Sequence, residues 1–285
     1  MTIGSNFKLP CGVTLKNRLC KAAMTEGIAD SNNFATQRHV NLYKKWASGG
    51  AGILLSGNVQ VDRRCMEGPG NVAIEKNSYL DQVETLKKWA AAGTRNNTQL
   101  WMQISHAGRQ TPGDLNPNPL SPSSVQLKIP SANYGVPIPM TVDDIEDVIE
   151  RFIFVAKVAK ETGFTGIQLH SAHGYLLSQF LSPDINLRED EWGGSIENRS
   201  RLMLRIIDGC RAELGDDFPI SVKLNSTDFQ KGGFSNNDSI KVAQFLNNAG
   251  VDVIEISGGT YEQPRLLGFD EISVNKDRSE VRKPS

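Results

Sequence analysis

The chain contains no run of roughly 18 apolar residues, so nothing in it reads as a transmembrane helix. Its opening, MTIGSNFKLP, lacks the basic-then-apolar order of a secretory signal. Cysteine is scarce: 4 in 285 residues, at Cys11, Cys20, Cys65 and Cys210, with no CxxC pair. A chain of this length needs no disulfide staple, and such scatter points to a reduced, cytoplasmic protein. Neither sign of charge dominates, since 31 Lys and Arg stand against 32 Asp and Glu for a net charge of -1. That balance argues against a nucleic-acid partner and against an anionic membrane surface. Internal repeats and low-complexity segments are also missing. What remains is a chain long enough for one large core or two small ones.

Strand and helix signals alternate along it. Apolar runs of strand length fall at residues 18–24, 52–57, 99–104, 166–170, 220–225 and 253–257. Between them lie segments of helical period. Tyr43, Trp46 and Ala47 mark the first; Leu80, Val83, Leu86, Lys87 and Ala90 the second. Ile145, Val148, Ile149, Phe152, Val155, Ala156 and Ala159 form the clearest, with Thr141 and Asp144 as its capping box. Leu202, Leu204, Ile206 and Ile207 mark another, and Ile240, Ala243, Phe245 and Leu246 the last. Repeated strand–helix units predict a parallel sheet. The stretch from Ile104 to Thr141 breaks the rhythm with seven of the chain's 13 prolines. A connection of that length in a compact domain reads as a lid.

Side chains alternate faces along a strand. Ile220, Val222 and Leu224 oppose Ser221, Lys223 and Asn225. Ile167 and Leu169 oppose Gln168 and His170; Leu100, Met102 and Ile104 oppose Trp101 and Gln103; Ile254 and Ile256 oppose Glu255 and Ser257. A doubly wound sheet needs both faces apolar, whereas here one face is partly polar, with its polar residues toward the C-terminal ends. This parity predicts an α/β fold of the TIM (β/α)8 type, with Gln103, His170 and Lys223 converging at the mouth.

Residues 166–199, GIQLHSAHGYLLSQFLSPDINLREDEWGGSIENR, carry the most chemistry. An apolar strand ends in His170; His173 and Tyr175 follow in the next loop. Each alone is more often a satisfied polar residue than a catalyst. Together they form a group able to donate hydrogen bonds and a proton. His-x-x-His can also chelate zinc, but no third ligand is spaced to complete a metal site.

Six motifs, in order, resemble the Old Yellow Enzyme family of flavin-dependent reductases. They are KNRL (16–19), AAMTEG (22–27), SGNVQVD (56–62), QISHAGRQ (103–110), HSAHGYLLSQFLSP (170–183) and REDEWGGSIENR (188–199). The resemblance implies FMN at the mouth of the barrel and NAD(P)H as reductant. By it, Ala23, Met24 and Thr25 pass under the flavin ring, Gly57 and Gln103 meet its pyrimidine edge, and Lys223 stands near its N1 and O2. His170 and His173 match the pair that binds a substrate carbonyl oxygen, and Tyr175 matches the proton donor. The implied partner is a small enone-type molecule; homo-oligomerisation is left open.

Counting strands adds one expectation. Six are visible, the last ending near Ser257, and 28 residues follow. Two further units need roughly 60. The expected division is therefore six of eight barrel units over residues 1–257 and a polar tail over 258–285, as in a C-terminally truncated member. The alternative function is that of a non-catalytic homologue with weak or no flavin binding.

Overall fold

The computed structural model describes residues 2–129 and 132–263. Six parallel strands build its main sheet: β1 (Cys20–Lys21), β2 (Ile53–Gln60), β3 (Gln99–Ser105), β4 (Gly166–Ser171), β5 (Ile220–Asn225) and β6 (Val253–Ser257). Their order in the sheet is their order in the chain, and a two-residue strand, Val72–Ala73, adds to the end of β2. Helices α1 (Gln37–Ala47), α2 (Val83–Gly93), α3 (Val142–Glu161), α4 (Leu176–Leu181), α5 (Ile196–Leu214) and α6 (Asn236–Asn248) fill the crossovers. Sequential strand order with helices packed along the outside, α1 on α2, α3 on α5 and α5 on α6, is the wall of a (β/α) barrel, and six units of it lie among the described residues. Of the expected tail, residues 264–285 lie outside the described residues. No described helix is long and apolar enough to cross a membrane.

The two faces of the sheet separate as their alternation predicts. Leu100, Met102, Ile104, Ile167, Leu169, Ile220, Val222 and Leu224 join one core with Leu86, Trp89, Val148, Phe152, Leu202, Ile206, Val242 and Leu246 of the helices. The opposite face starts with a smaller apolar cluster of Ile53, Leu55 and Trp101, closed by Leu9 and Leu15. Leu9 and Leu15 come from an N-terminal hairpin, Phe7–Lys8 paired with Thr14–Leu15. The Cys11 amide donates to Asp252 Oδ1 at 2.8 Å and ties that hairpin to the start of β6. Trp101 lies flat against Gly166, where a Cβ would come within 2.5 Å of the indole. Above this plug the inner face turns polar.

Helix starts follow their local chemistry. Thr141 Oγ1 accepts from the Asp144 amide at 3.1 Å while Asp144 Oδ2 accepts from the Thr141 amide at 2.8 Å, a reciprocal cap on α3. Ser235 and Asp238 form the same reciprocal cap on α6, whereas at α5 the Ser195 hydroxyl accepts from the Asn198 amide alone.

Three local expectations need correction. The first strand, expected over 18–24, is ordered as strand only at Cys20–Lys21, because Glu26 draws the following chain away to the Gly57 amide. Leu80 lies in a 3-10 turn, Tyr79–Gln82, and is 72% exposed, so α2 begins at Val83. Ile240 is 53% exposed; Val242 and Leu246 carry the buried stripe of α6 instead.

The proline-rich connection runs along the C-terminal ends of the strands, as a lid there requires. Its His106 and Ala107 carbonyls accept from the Leu176 amide and Gln179 Nε2 at 3.0 Å each. Arg188 Nη1 donates to the Met140 carbonyl at 2.6 Å and pins the far end of the connection to the segment after β4.

Trp101 is 1% exposed and fills the plug beneath the polar layer. Trp101→Ala is expected to cost about 3–5 kcal/mol through lost burial and an uncollapsed cavity. A shift of the urea midpoint checks this; a loss below about 1 kcal/mol would show that the hairpin collapses into the space.

Candidate active site

β4 carries His170 on its inner face, opposite Lys223 of β5. The chain then turns sharply: His173 has φ 60° and Gly174 φ 81°. Left-handed backbone is accessible to histidine and free to glycine. The turn aims His173 back toward β5 and β6, where its amide donates to Asn225 Oδ1 at 3.3 Å and its Nε2 lies 2.6 Å from Ser257 Oγ. Tyr175 caps α4 immediately afterwards. Three candidate side chains thus come from six residues. The His170 ring centroid is 5.2 Å from that of His173 and 4.6 Å from that of Tyr175.

Both imidazoles are held neutral. Burial drives His170 well below its ordinary 6.5, with the fields of His173 and Lys223 adding to the effect. Burial and Lys223 lower His173 to about 4, against a weaker pull from Glu255. His170 Nδ1 accepts from the Ala172 amide at 3.3 Å, which leaves its proton on Nε2. Where the Ser257 hydroxyl donates to His173 Nε2, 2.6 Å away, that ring keeps its proton on Nδ1; where the ring donates instead, the proton is on Nε2. In the first arrangement each ring offers one N–H to an acceptor. Tyr175 is 4% exposed, and burial together with the charge of Glu67 pushes its phenol well above 10, so it stays protonated.

The inner face below them is a continuous polar array. Gln103 Nε2 donates to Gln168 Oε1 at 2.6 Å. Gln168 Nε2 donates to Ser221 Oγ at 3.1 Å and to Glu255 Oε2 at 3.0 Å. Lys223 Nζ lies 3.1 Å from Glu255 Oε1. To one side, the Ala23–Met24–Thr25 segment passes directly over Gly57, where a Cβ would meet Glu26 Oε2 at 2.2 Å and the Met24 carbonyl at 2.6 Å. Glu26 pins that segment by accepting from the Gly57 amide at 2.9 Å and from the Tyr43 hydroxyl. Ala23 is half-buried; Met24 and Thr25 are exposed.

Gln103, His170, Lys223, His173 and Tyr175 therefore gather as the sequence suggests, with Gly57 and Ala23–Thr25 at the strand ends nearby. Three acidic residues and a tyrosine were not singled out: Glu26, Glu67, Glu255 and Tyr261. Tyr175 Oη donates to Glu67 Oε2 at 2.6 Å and lies 2.7 Å from Tyr261 Oη. Glu255 has the inward parity of Lys223, a signal that could have found it. Glu67 and Tyr261 follow the ends of β2 and β6, the rule that singles out His170, but lie on loops without pattern. Among the described residues no group of three His, Cys, Asp or Glu is arranged to hold a metal ion.

Six parallel β/α units, a polar inner face and mouth-facing imidazoles agree with the barrel that the resemblance to the Old Yellow Enzyme family implies. The chain belongs to the NADH:flavin oxidoreductase / NADH oxidase family, whose model matches residues 7–281. It is 38% identical over 280 residues to the NADH-dependent flavin oxidoreductase iliE of Neonectria sp. (strain DH2), covering 93% of this chain and 36% of that protein. Among solved structures it is similar to a 2-naphthoyl-CoA reductase in complex with 2-naphthoyl-CoA, with TM-score 0.86 and 30% identity, over 92% of this chain and 41% of the other. The old yellow enzyme homologue from Zymomonas mobilis shares the fold with TM-score 0.81 at 23% identity, over 93% and 77% of the two chains. The chain thus spans well under half of the first two of these proteins. The family's flavin is FMN, with NAD(P)H as reductant. The donor set here fits such a group: an amide, an ammonium and a neutral imidazole N–H face one space, which suits a ring with carbonyl oxygens that becomes anionic when reduced.

All four histidines of the chain are depressed by burial: His39, His106 and His173 to about 4, and His170 further. Unfolded, each takes up a proton near 6.5; folded, none does until about pH 4. The unfolded state binds more protons across that window, so stability falls as pH drops from 6.5 toward 4, by up to about 1.4 kcal/mol per pH unit for each imidazole. Buried Asp228, raised above 3.8, works in the opposite sense but is a single group. Urea midpoints at pH 7 and pH 5 check this, and equal midpoints would contradict it.

Proposed function

We propose that this chain is the catalytic portion of an FMN-dependent NAD(P)H oxidoreductase that reduces the activated C=C bond of α,β-unsaturated carbonyl compounds. The observation that carries the reading is the trio at the end of β4: two neutral imidazoles and a protonated phenol with ring centroids 5.2 and 4.6 Å from His170. Gln103, Lys223 and His170 would hold FMN, with Gly57 and the Ala23–Thr25 segment at its edge. When bound, FMN would supply the hydride chemistry, with NAD(P)H as the reductant and the substrate β-carbon as the acceptor.

The side chains of this chain do the rest. His170 Nε2–H and His173 Nδ1–H grip the substrate oxygen and stabilise the negative charge that develops on it, as an oxyanion hole does. Being neutral, they bind the oxygen without first giving it a proton. Tyr175 delivers a proton to the α-carbon. The described parts of the lid, residues 105–129 and 132–140, would keep bulk water from the reacting carbons, so that the proton comes from a chosen donor.

A second reading, a homologue that holds flavin weakly and does no chemistry, rests on one observation. Lys223 is already paired with Glu255, and Gln103 with Gln168, so these two side chains have partners without a ligand. The flavin absorbance of the purified chain separates the two. Lys223→Ala is expected to weaken FMN binding by about 1–3 kcal/mol, the worth of a charge-assisted contact. Unchanged affinity in a fluorescence titration would assign Lys223 to Glu255 alone.

Stopped-flow flavin absorbance divides the chemistry. Tyr175→Phe is expected to slow enone-driven reoxidation by about 10²–10⁴, the usual worth of a general acid, and to slow reduction by NAD(P)H far less. Equal slowing of both halves would instead make Tyr175 a shaper of the pocket. His170→Ala and His173→Ala are expected to weaken binding of phenolic ligands, which present the same oxygen.

A further inference from the structure

Tyr175 has two polar neighbours that neither oxygen binding nor hydride transfer uses. Glu67 Oε2 lies 2.6 Å from its hydroxyl and Tyr261 Oη 2.7 Å from it. Glu67 is itself held from behind: Asn58 Nδ2 donates to Oε2, and Asn71 Nδ2 donates to Oε1 at 3.3 Å. Burial differs sharply along the line. Tyr175 is 4% exposed, whereas Glu67 is only half-buried. The carboxyl group therefore touches the buried phenol on one side and reaches toward solvent on the other.

A phenol that gives up its proton here becomes a buried anion beside a carboxylate. Burial and the Glu67 charge already oppose that anion. It must regain a proton within each turnover, and water has no direct access to it. The geometry adds a second demand. As found, the phenol donates to Glu67, so its one hydrogen is already engaged by the carboxylate. Only with a proton on Oε2 does the hydrogen bond reverse, leaving the phenol hydrogen free to face the reacting carbon.

We propose that Glu67 is the proton relay behind Tyr175, and that Tyr261 positions the phenol between relay and substrate. This rests on the enone-reduction reading above. The Tyr175 O–H bond breaks as the α-carbon C–H bond forms. The proton on Glu67 Oε2 passes to the phenolate oxygen, which restores the phenol and leaves a carboxylate. Glu67 then takes a proton from solvent. The hydride that the β-carbon received beforehand completes the addition of two hydrogens, so charge and atoms balance.

Two measurements on wild type, Glu67→Gln, Glu67→Asp and Tyr175→Phe test it. The first follows tyrosinate absorbance against pH and needs no flavin. Glu67→Gln should move one phenol ionisation to lower pH, and that ionisation should be the one missing from Tyr175→Phe. An unmoved titration overturns the contact on which the relay depends. The second is stopped-flow flavin absorbance. Glu67→Gln keeps the shape of the carboxylate but cannot hand over its proton. It should slow enone-driven reoxidation at least about tenfold, with a larger solvent deuterium isotope effect and with far less change in reduction by NAD(P)H. Glu67→Asp should recover part of the loss. Reoxidation at the wild-type rate in Glu67→Gln, while Tyr175→Phe is slow, sinks the relay and leaves the enone reading standing. Fast reoxidation in Tyr175→Phe sinks the enone reading itself.

Discussion

Gln168 holds together the inner face on which the site is built. Its carbonyl oxygen accepts from Gln103 of β3, and its amide nitrogen is shared between Ser221 of β5 and Glu255 of β6. The other Glu255 oxygen holds Lys223. Four strands are thereby cross-linked by side chains as well as by their backbones. A buried amide left unpaired costs about 1–3 kcal/mol, so each bond makes a slipped register expensive for the strand beside it. Gln103 faces Gln168, Gln168 faces Ser221, and Lys223 faces both His170 and Glu255. A one-residue slip of β4 would send Gln168 and His170 into the helix layer and bring Ile167 and Leu169 inside. The position of the first imidazole thus depends on an amide two residues before it.

Charge at the mouth is balanced in the same economical way. Lys223 and Glu255 neutralise each other, and their fields act on His173 with opposite sign. Desolvation then decides the outcome, and both histidines remain uncharged. Two neutral donors suit an oxygen whose charge rises and falls within one reaction, because they hold it in both states without trapping the charged one. The acidic partner of Tyr175 lies on the far side of the phenol, bonded to asparagines rather than to a cation. On the proposed reading, oxygen binding and proton supply sit on separate loops, the first after β4 and the second after β2.

Period and parity made most of the barrel legible in the sequence. Alternation of Ile220, Val222 and Leu224 with Ser221, Lys223 and Asn225 is a property of the strand alone, and it correctly separates the helix layer from the mouth. The trio His170, His173 and Tyr175 was legible because six residues of local chain deliver all of it. What was missed came from distance. Glu67 lies 108 positions from Tyr175 and Tyr261 lies 86 from it; no local period marks either. Leu80 and Ile240 misled for the opposite reason. Their spacing fits a helix stripe, but a 3-10 turn and a rotated helix face leave them in solvent. The short first strand was misjudged because Glu26 is bound by partners 17 and 31 positions away, Tyr43 and Gly57.

His173 stands at φ 60°, a shape that β-branched and bulky residues enter only at a cost of about 1–3 kcal/mol. Asparagine, aspartate and histidine enter it most readily. The backbone therefore filters replacements at this position before chemistry does. Asparagine passes with a donor intact; aspartate passes but sets a second negative charge near Glu255; glycine passes with nothing to offer. His170, in ordinary strand backbone, has no such filter. On the proposed reading, the grip on a carbonyl oxygen can be retuned over many generations at residue 173 by small steps that leave the turn untouched, so this turn is also where specificity can evolve.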